Sequence, residues 1–137
     1  MKKIGSIVLL LFSTVILAQE NKTIPFSKED NTVYSSAGLD RIPTPEKGHQ
    51  DFAQYIAKNF NYSAEAIKNG ISGKIFLEFI VEKNGKLNDI RIIRGLGHGL
   101  DEEAVRLFSN YGNWIPGQHN GRSIRVRFSV PITIRTK

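Results

Sequence analysis

The chain has 137 residues, with 19 Lys and Arg against 13 Asp and Glu, a formal net charge of +6 and no cysteine. This length is typical of one small domain. The lack of cysteine excludes a disulfide framework, a cysteine-ligated metal centre, a thiol nucleophile and a lipoprotein anchored through an N-terminal cysteine.

Residues 1–18 have the pattern of a secretory signal peptide. The segment starts with the basic residues Lys2 and Lys3, residues 4–17 are almost wholly apolar, and Ala18 is small. The apolar run is shorter than the roughly 20 residues that a helix needs to cross a bilayer. We therefore predict cleavage after Ala18 and export of the mature chain, in preference to an uncleaved membrane anchor.

Residues 19–39 are polar and lack a sustained period, which predicts a flexible leader before a single domain over residues 40–137. Within residues 50–60 apolar side chains recur at helical spacing, which predicts an amphipathic helix. Ser63 is a suitable N-cap for a second, short helix over residues 64–69 that ends at a glycine.

Two strands are predicted on either side of Asn84-Gly85, because this dipeptide between alternating runs is the strongest short signal for a hairpin. A two-residue loop would pair Lys83 with Lys86 and, farther along, Leu77 with Ile92. One face of both strands is then apolar, which fixes the register.

A third helix is predicted to begin at Asp101, whose side chain is a suitable N-cap. A turn-rich stretch follows around Trp114, which we expect to anchor a loop over the core. Residues 123–135 alternate without a fault and predict a long strand with one buried face. Pro131 donates no ladder hydrogen bond, so at least this end of the strand is expected at a sheet edge.

The predicted order is helix, helix, strand, strand, helix, strand. It indicates an α+β two-layer sandwich, in which a three-stranded, mainly antiparallel sheet carries helices on one face. Phe76, Ile80 and Ile93 then lie on the outer face of the sheet, where either the leader covers them or they form an interaction patch.

The motifs that carry chemistry in other proteins fail on spacing here. Residues 95–99, Gly-Leu-Gly-His-Gly, lack the third glycine of a dinucleotide-binding loop because position 100 is Leu. His49, His98 and His119 fall in separate loops or boundaries without the spacing of metal ligands. No nucleophile, base and orienting acid assemble into a set, so we expect no enzyme activity, no cofactor and no metal.

After Glu103 every charged residue is a cation, including Arg122, Arg125 and Arg127. A solvated sheet face is the simpler interpretation. The functional alternative is a basic ledge beside an open strand edge, which steers an acidic, extended partner. Nucleic acid is not expected as a partner, because aromatic side chains do not interleave these cations and the signal peptide directs the chain elsewhere.

The motifs together resemble the TonB C-terminal domain, in the form common among Bacteroidetes-type bacteria. The most specific piece is the Trp-x-Pro-Gly-x-x-Asn-Gly segment before a strand that ends in Pro-Ile. The matching residues are Pro45 to Gly48, Phe52-x-x-Tyr55-Ile56-x-x-Asn59, Tyr62-Ser-x-x-Ala66, Gly70-Ile-x-Gly73, Phe79-x-Val81-x-Lys-Asn-Gly85, Ile92-Ile-Arg94-Gly95, Leu100-Asp-Glu-Glu-Ala104, Trp114-x-Pro116-Gly117-x-x-Asn120-Gly121 and Val130-Pro131-Ile132.

The resemblance implies a periplasmic, non-enzymatic domain that binds the TonB box of TonB-dependent outer-membrane receptors in energy-coupled transmembrane transport. Binding would occur by strand addition, in which an extended peptide joins the sheet along the last strand. Arg125 and Arg127 would provide register or steering, and the open edge also permits a homodimer. The expected partner-binding residues are Ser123, Ile124, Arg125, Val126, Arg127, Phe128, Ser129 and Val130.

Two departures from the family pattern are visible. Ser63 follows Tyr62 where the family often has proline, and the chain has a short apolar segment and a proline-poor leader where a transducer has a membrane helix and a long proline-rich stretch. Two interpretations stay open. The protein is either a TonB-type transducer component or a soluble periplasmic adaptor or competitor module without energy transduction of its own. In the first case it is anchored to the inner membrane by an uncleaved segment and faces the periplasm, or it acts with inner-membrane energising proteins or a separate anchored transducer.

Overall fold

The computed structural model describes residues 30–136, and the chain from Asn31 onward forms one compact unit. The predicted signal peptide over residues 1–18 therefore lies outside the described residues. The elements, in chain order, are β1 (Val33–Ser35), β2 (Thr44–Pro45), α1 (His49–Asn59), α2 (Ala64–Lys68), β3 (Ser72–Val81), β4 (Leu87–Arg94), α3 (Leu100–Asn110), β5 (Trp114–Ile115), β6 (Gly117–His119) and β7 (Arg122–Arg135).

The main sheet has five strands, with the order β1-β7-β3-β4 and with β6 paired to β7. Its three long strands, β3, β4 and β7, are antiparallel, while β1 runs parallel to β7. A second, two-stranded sheet joins β2 to β5. The predicted α+β architecture is confirmed, and the short strands add to the three that the sequence indicates.

The core lies between the inner face of the sheet and the helices. Trp114 is 3% exposed and its ring lies edge-on to Phe52 and Phe79, at centroid distances of 5.4 and 5.2 Å. The tryptophan therefore anchors the loop, as predicted. The buried cluster consists of Phe52, Phe60, Ala66, Ile75, Leu77, Phe79, Val81, Leu100, Ala104, Leu107, Phe108, Trp114, Ile132 and Ile134.

The hairpin between β3 and β4 has the predicted register only in its central part. Leu77 is paired with Ile92, but nearer the turn the register shifts by one residue and Val81 pairs with Leu87. The two-residue turn is therefore wrong, and the loop spans residues 82–86. Packing against β5 decides this loop, because the Gly85 carbonyl accepts a hydrogen bond of 2.8 Å from the Trp114 amide.

The helices α2 and α3 begin with different N-caps. The Ser63 side chain accepts a hydrogen bond of 3.0 Å from the Ala66 amide and caps α2, as predicted. The prediction for Asp101 is wrong, since α3 begins one residue earlier and its N-cap is Gly99 in the left-handed conformation. The Asp101 carboxylate instead accepts hydrogen bonds from the amides of Leu96 and Gly97, at 2.9 and 3.1 Å.

The leader also differs from expectation, because its second half is part of the fold. The segment expected to be flexible contains β1, whose residues Val33–Ser35 pair with Arg125–Arg127 of β7. Beyond β1, the amide of Asn120 donates a hydrogen bond of 2.7 Å to the Asp40 carboxylate. Main-chain pairing of this kind requires no hydrophobic alternation, so a three-residue strand leaves no period in the sequence.

Candidate functional site

The eight predicted partner-binding residues all lie in β7, but they have different neighbours. Ser123 and Ile124 pair with β6, and Val126 and Arg127 lie between β1 on one side and β3 on the other. Among the residues that the structure describes, β3 is the only strand paired with residues 128–130. The first part of the predicted site is therefore already occupied by the chain itself.

The rest of β7 has an open edge. Within the part of the chain that the structure describes, no strand pairs with residues 128–135 on the side opposite β3. We call this stretch the open edge. An unpaired edge presents a row of backbone N–H and C=O groups that can accept another strand.

Pro131 sets the direction of the backbone groups along the open edge. It lies opposite Phe76 of β3, and because proline has no N–H, this pair cannot exchange ladder hydrogen bonds. The backbone of Pro131 therefore points away from β3. Every second residue follows the same direction, so the N–H groups of Ser129 and Thr133 also point to the open edge. The position of Pro131 at an edge agrees with its predicted role.

A groove of about 380 Å³ runs along the open edge and separates it from α1. One wall consists of five consecutive residues of β7, Val130–Ile134, and the other wall is the apolar face of α1. Five consecutive residues include side chains from both faces of the sheet, so the groove follows the strand's edge. We call it the α1–β7 groove; opposite β7 it is lined by Phe52, Ala53, Ile56 and Ala57 of α1 and by Phe60 and Tyr62, which follow the helix.

Arg125 does not serve as a free cation at the rim. Its guanidinium donates hydrogen bonds of 2.9–3.1 Å to both carboxylate oxygens of Glu82, and these bonds raise the pKa of Arg125. Its Nη1 also donates to the carbonyl of Asn31 at 2.8 Å. Arg125 thus holds the chain that leads into β1 against the sheet.

Arg127 is neutralised in the same way. Its Nη1 lies 2.9 Å from Glu78 Oε1 and 3.5 Å from Asp89 Oδ2. Asp89 is also bound by Arg91 at 2.6 Å, and hydrogen bonds from Arg91 lower the pKa of Asp89. Glu78 of β3, Asp89 of β4 and Glu82 of the loop between these strands therefore balance Arg125 and Arg127, and at these two residues the predicted ledge is an ion-paired sheet face.

The three outer-face apolar residues do not form one patch. Ile80 is 5% exposed, whereas Ile93 is 57% exposed and Phe76 is partly buried. Ile80 lies opposite Arg127 in the sheet, between the ion-paired residues Glu78 of β3 and Glu82, the first residue of the following loop. Long arginine side chains cover apolar neighbours with their methylene groups, which accounts for the burial of Ile80.

The remaining sequence candidates do not form a site for chemistry. His98 Nδ1 lies 3.1 Å from Glu65 Oε1, His119 lies beside the ring of Tyr34 and His49 starts α1. Within residues 30–136, no group of three His, Asp or Glu side chains is placed to hold a metal ion. In the loop of residues 95–99, the amides of Leu96 and Gly97 donate hydrogen bonds to the Asp101 carboxylate. A Cβ at Gly95 would lie 2.2 Å from an oxygen of that carboxylate.

No helix among residues 30–136 is long and apolar enough to cross a membrane. The predicted anchor or signal peptide falls in the part of the chain that the structure does not describe.

The family model of the Gram-negative bacterial TonB protein C-terminal matches residues 58–135, which is more than half of the chain. The chain belongs to the TonB C-terminal family. The matched residues include α2, α3 and all three long strands, and so contain the whole of the open edge. Members of this family are non-enzymatic protein-interaction domains, and they are periplasmic in general.

The fold is similar to that of a solved TonB C-terminal domain. The Helicobacter pylori TonB domain over its residues 194–285, solved by NMR, has 19% identity and a TM-score of 0.51, covering 64% of this chain and 92% of that one. The Pseudomonas aeruginosa TonB domain has 17% identity and a TM-score of 0.42, covering 55% of this chain and 76% of that one. No curated protein matches the chain.

Sequence reasoning missed the α1–β7 groove and the occupied part of the edge. The amphipathic spacing of α1 indicates which of its side chains are apolar, but not that part of that face stays uncovered beside β7. The pairing of β1 with β7 could not be predicted from hydrophobic periodicity. The asparagine, threonine and serine content of residues 30–36 resembles a linker.

Proposed function

We propose that this TonB C-terminal protein binds the TonB box of outer-membrane TonB-dependent receptors by strand addition to the open edge of β7. Binding takes place in the periplasm and forms part of energy-coupled transport. The observation that carries the proposal is the edge over residues 128–135, which is long, regular and unpaired in the described part of the chain. Strand addition uses such an edge directly.

The chain's own N-terminal segment supports this mode of binding. β1 joins β7 in parallel with three consecutive register pairs, Val33 with Arg125 through Ser35 with Arg127. The same edge thus accepts a short extended segment that contributes little hydrophobic periodicity. A receptor segment of similar length would form the same main-chain ladder on the neighbouring residues.

The ion pairs of Arg125 and Arg127 determine how this edge recognises its partner. Because Arg125 and Arg127 are engaged with Glu82, Glu78 and Asp89, they contribute little free charge for steering. Affinity then depends on main-chain hydrogen bonds and on apolar contacts along the edge. In this proposal Arg125 and Arg127 hold β1 and the sheet together, and the receptor segment binds along residues 128–135.

The test replaces Ser129, which is exposed and whose N–H points to the open edge. Ser129→Pro removes that donor and places a ring at the edge, while the ladder with β3 is kept, as it is at Pro131. Ser129→Ala is the matched control, because it removes the hydroxyl and keeps the N–H. Binding is measured by calorimetry with synthetic peptides that carry the TonB boxes of the host's receptors.

We expect Ser129→Pro to weaken binding about tenfold or more, which corresponds to about 1.4 kcal/mol. Ser129→Ala should bind within about twofold of the unchanged protein, since the side chain faces away from the ladder. Both variants must keep the native thermal transition. Equal affinity of the proline and alanine variants would refute binding along this edge.

A further inference from the structure

The edge of β7 is divided into an occupied part and a free part. β1 covers Arg125–Arg127, and bends and turns at residues 36–38 then carry the chain away from β7. Gly38 supports this change of direction with a positive φ of 73°. The α1–β7 groove begins three residues beyond the last β1 contact, at Val130.

An occupant of the groove must satisfy a row of backbone groups as well as an apolar wall. The N–H of Thr133 and the carbonyls of Pro131 and Thr133 point to the groove, and leaving such groups without partners in a dry contact costs free energy. A helix or a lipid tail has no backbone groups to offer sideways. An extended chain has them at the right spacing, and its alternate side chains would contact Ile56 and Ala57 of α1.

Charge on the outer side of the groove favours an acidic residue in that chain. Lys74 lies opposite Thr133 and Ser72 lies opposite Arg135, so Lys74 and Arg135 are diagonal neighbours on the outer face. Both cations are exposed, and neither forms an ion pair within residues 30–136. Because the added strand would lie on the side of β7 opposite β3, a carboxylate at one of its outward positions would lie beside Arg135, with Lys74 one strand farther away.

We propose that the partner strand binds in the α1–β7 groove, next to β1 along the same edge and without displacing it, and that it alternates apolar residues toward α1 with an acidic residue near Arg135. The inference rests on the proposed function and adds the place, the class of segment and the fate of β1. It implies that β1 and the partner form two successive strands along one edge.

Two exposed alanines on α1 make a sharp test. Ala57 lines the groove, and Ala57→Trp would fill it with an indole ring. Gln54 is exposed on the same helix but does not line the groove, so Gln54→Trp is the matched control. Ala53→Trp, at the other end of the groove, is the second variant in case the first disturbs the helix.

Two peptides serve as probes. One carries a receptor TonB box, and the other is a designed segment of alternating Val and Thr with one Glu, flanked by Gly and Ser. Amide signals of ¹⁵N-labelled protein report which residues each peptide contacts. We expect shifts in α1 and in residues 130–134, unchanged signals for Val33–Ser35, and an affinity loss of about tenfold for Ala57→Trp against less than twofold for Gln54→Trp. Replacing the Glu by Lys should weaken the designed peptide.

The outcomes separate the inference from the proposed function. If a receptor peptide binds and the signals of Val33–Ser35 move to those of an unpaired chain, the function stands and the inference is wrong. If the designed peptide binds the groove and no receptor peptide does, the groove stands and the receptor function is wrong. Equal affinities of Ala57→Trp and Gln54→Trp overturn the groove, and a failure of both peptides to bind overturns both claims.

Discussion

Pro131 indicates which backbone groups of β7 face the open edge. Its ring nitrogen cannot donate to Phe76, so its backbone points outward and the backbone groups of every second residue do the same. The same residue interrupts the outward ladder once. A strand added to the open edge therefore has one ladder position without a donor, which limits indiscriminate pairing of the edge with other chains.

Arg125 illustrates what residue counting leaves out. Its cationic charge is evident in the sequence, but its partners Glu82 and Asn31 are separated from it by 43 and 94 positions. Pairing at such separations depends on the strand order, which residue counts do not contain. The basic run after Glu103 predicts a solvated sheet face or, as the alternative, a free basic ledge, whereas the structure pairs Arg125 and Arg127 with acids.

Tyr111 provides a prediction for alkaline pH. Its hydroxyl donates a hydrogen bond of 2.8 Å to Asp51 Oδ2, and burial together with this bond raises the pKa of Tyr111 to about 12. In the unfolded chain the phenol ionises near its ordinary value of 10. The stabilising effect of Tyr111 is therefore complete below pH 10 and is lost as the pH rises from 10 to 12.

The measurement is urea unfolding at pH 9, 10 and 11, with the unchanged protein and Tyr111→Phe. We expect the phenylalanine variant to be less stable at pH 9, because it lacks the bond to Asp51, and to lose less stability on going to pH 11. Parallel curves for the two proteins across this range would contradict the raised pKa of Tyr111.

At the scale of elements, the β3–β4 hairpin separates what local pattern decides from what packing decides. The alternation of both strands fixes their faces, and the central pairing of Leu77 with Ile92 follows from it. The turn does not follow from this alternation. The Gly85 carbonyl accepts a hydrogen bond from the Trp114 amide, and the register of β4 shifts at a bulge near Asp89, whose φ is 50°.

The contact between Gly85 and β5 leads to a prediction with a built-in control. A Cβ at Gly85 would lie 2.1 Å from the Trp114 carbonyl oxygen, and the φ of Gly85 is 84°. Gly97 has a similar φ of 74° and nothing within 4 Å of its Cβ position. Gly97→Ala should thus cost only the left-handed conformation, about 1 kcal/mol, while Gly85→Ala should cost about 3 kcal/mol or more.

Chemical denaturation of the two alanine variants measures this difference directly. If Gly85→Ala and Gly97→Ala lose equal stability, the loop of residues 82–86 is not held against Trp114 in the way described. A larger loss at Gly85 would show that the hairpin loop and β5 form one packed unit.

For the whole molecule, the sequence patterns predicted the α+β class, the helices and the long strands, because each has its own hydrophobic period. They also indicated β7 as the strand of interest through its length and Pro131. They did not indicate which part of β7 is free, since β1 is held by main-chain pairing and by Arg125. The groove depends on the distance between α1 and β7, which no local pattern contains.

Energy transduction is a property beyond the domain itself. A bound receptor segment transmits force only if the protein is linked to the inner membrane, directly or through an anchored partner. The intact mass of the protein in its host decides between these arrangements. A chain beginning at Gln19 would act as an adaptor or with a separate transducer, and a full-length, membrane-bound chain would act alone.

The most direct test of strand addition uses the absence of cysteine from the chain. A disulfide requires Cα atoms within about 7 Å, and adjacent strands lie about 4.8 Å apart. Thr133→Cys on the open edge should therefore form a crosslink in living host cells with a receptor that carries cysteine in its TonB box. Asn88→Cys, an exposed position on β4 at the opposite edge of the sheet, is the control and should form none. Crosslinking at Asn88 as strong as at Thr133, or none at either position, would contradict binding along β7.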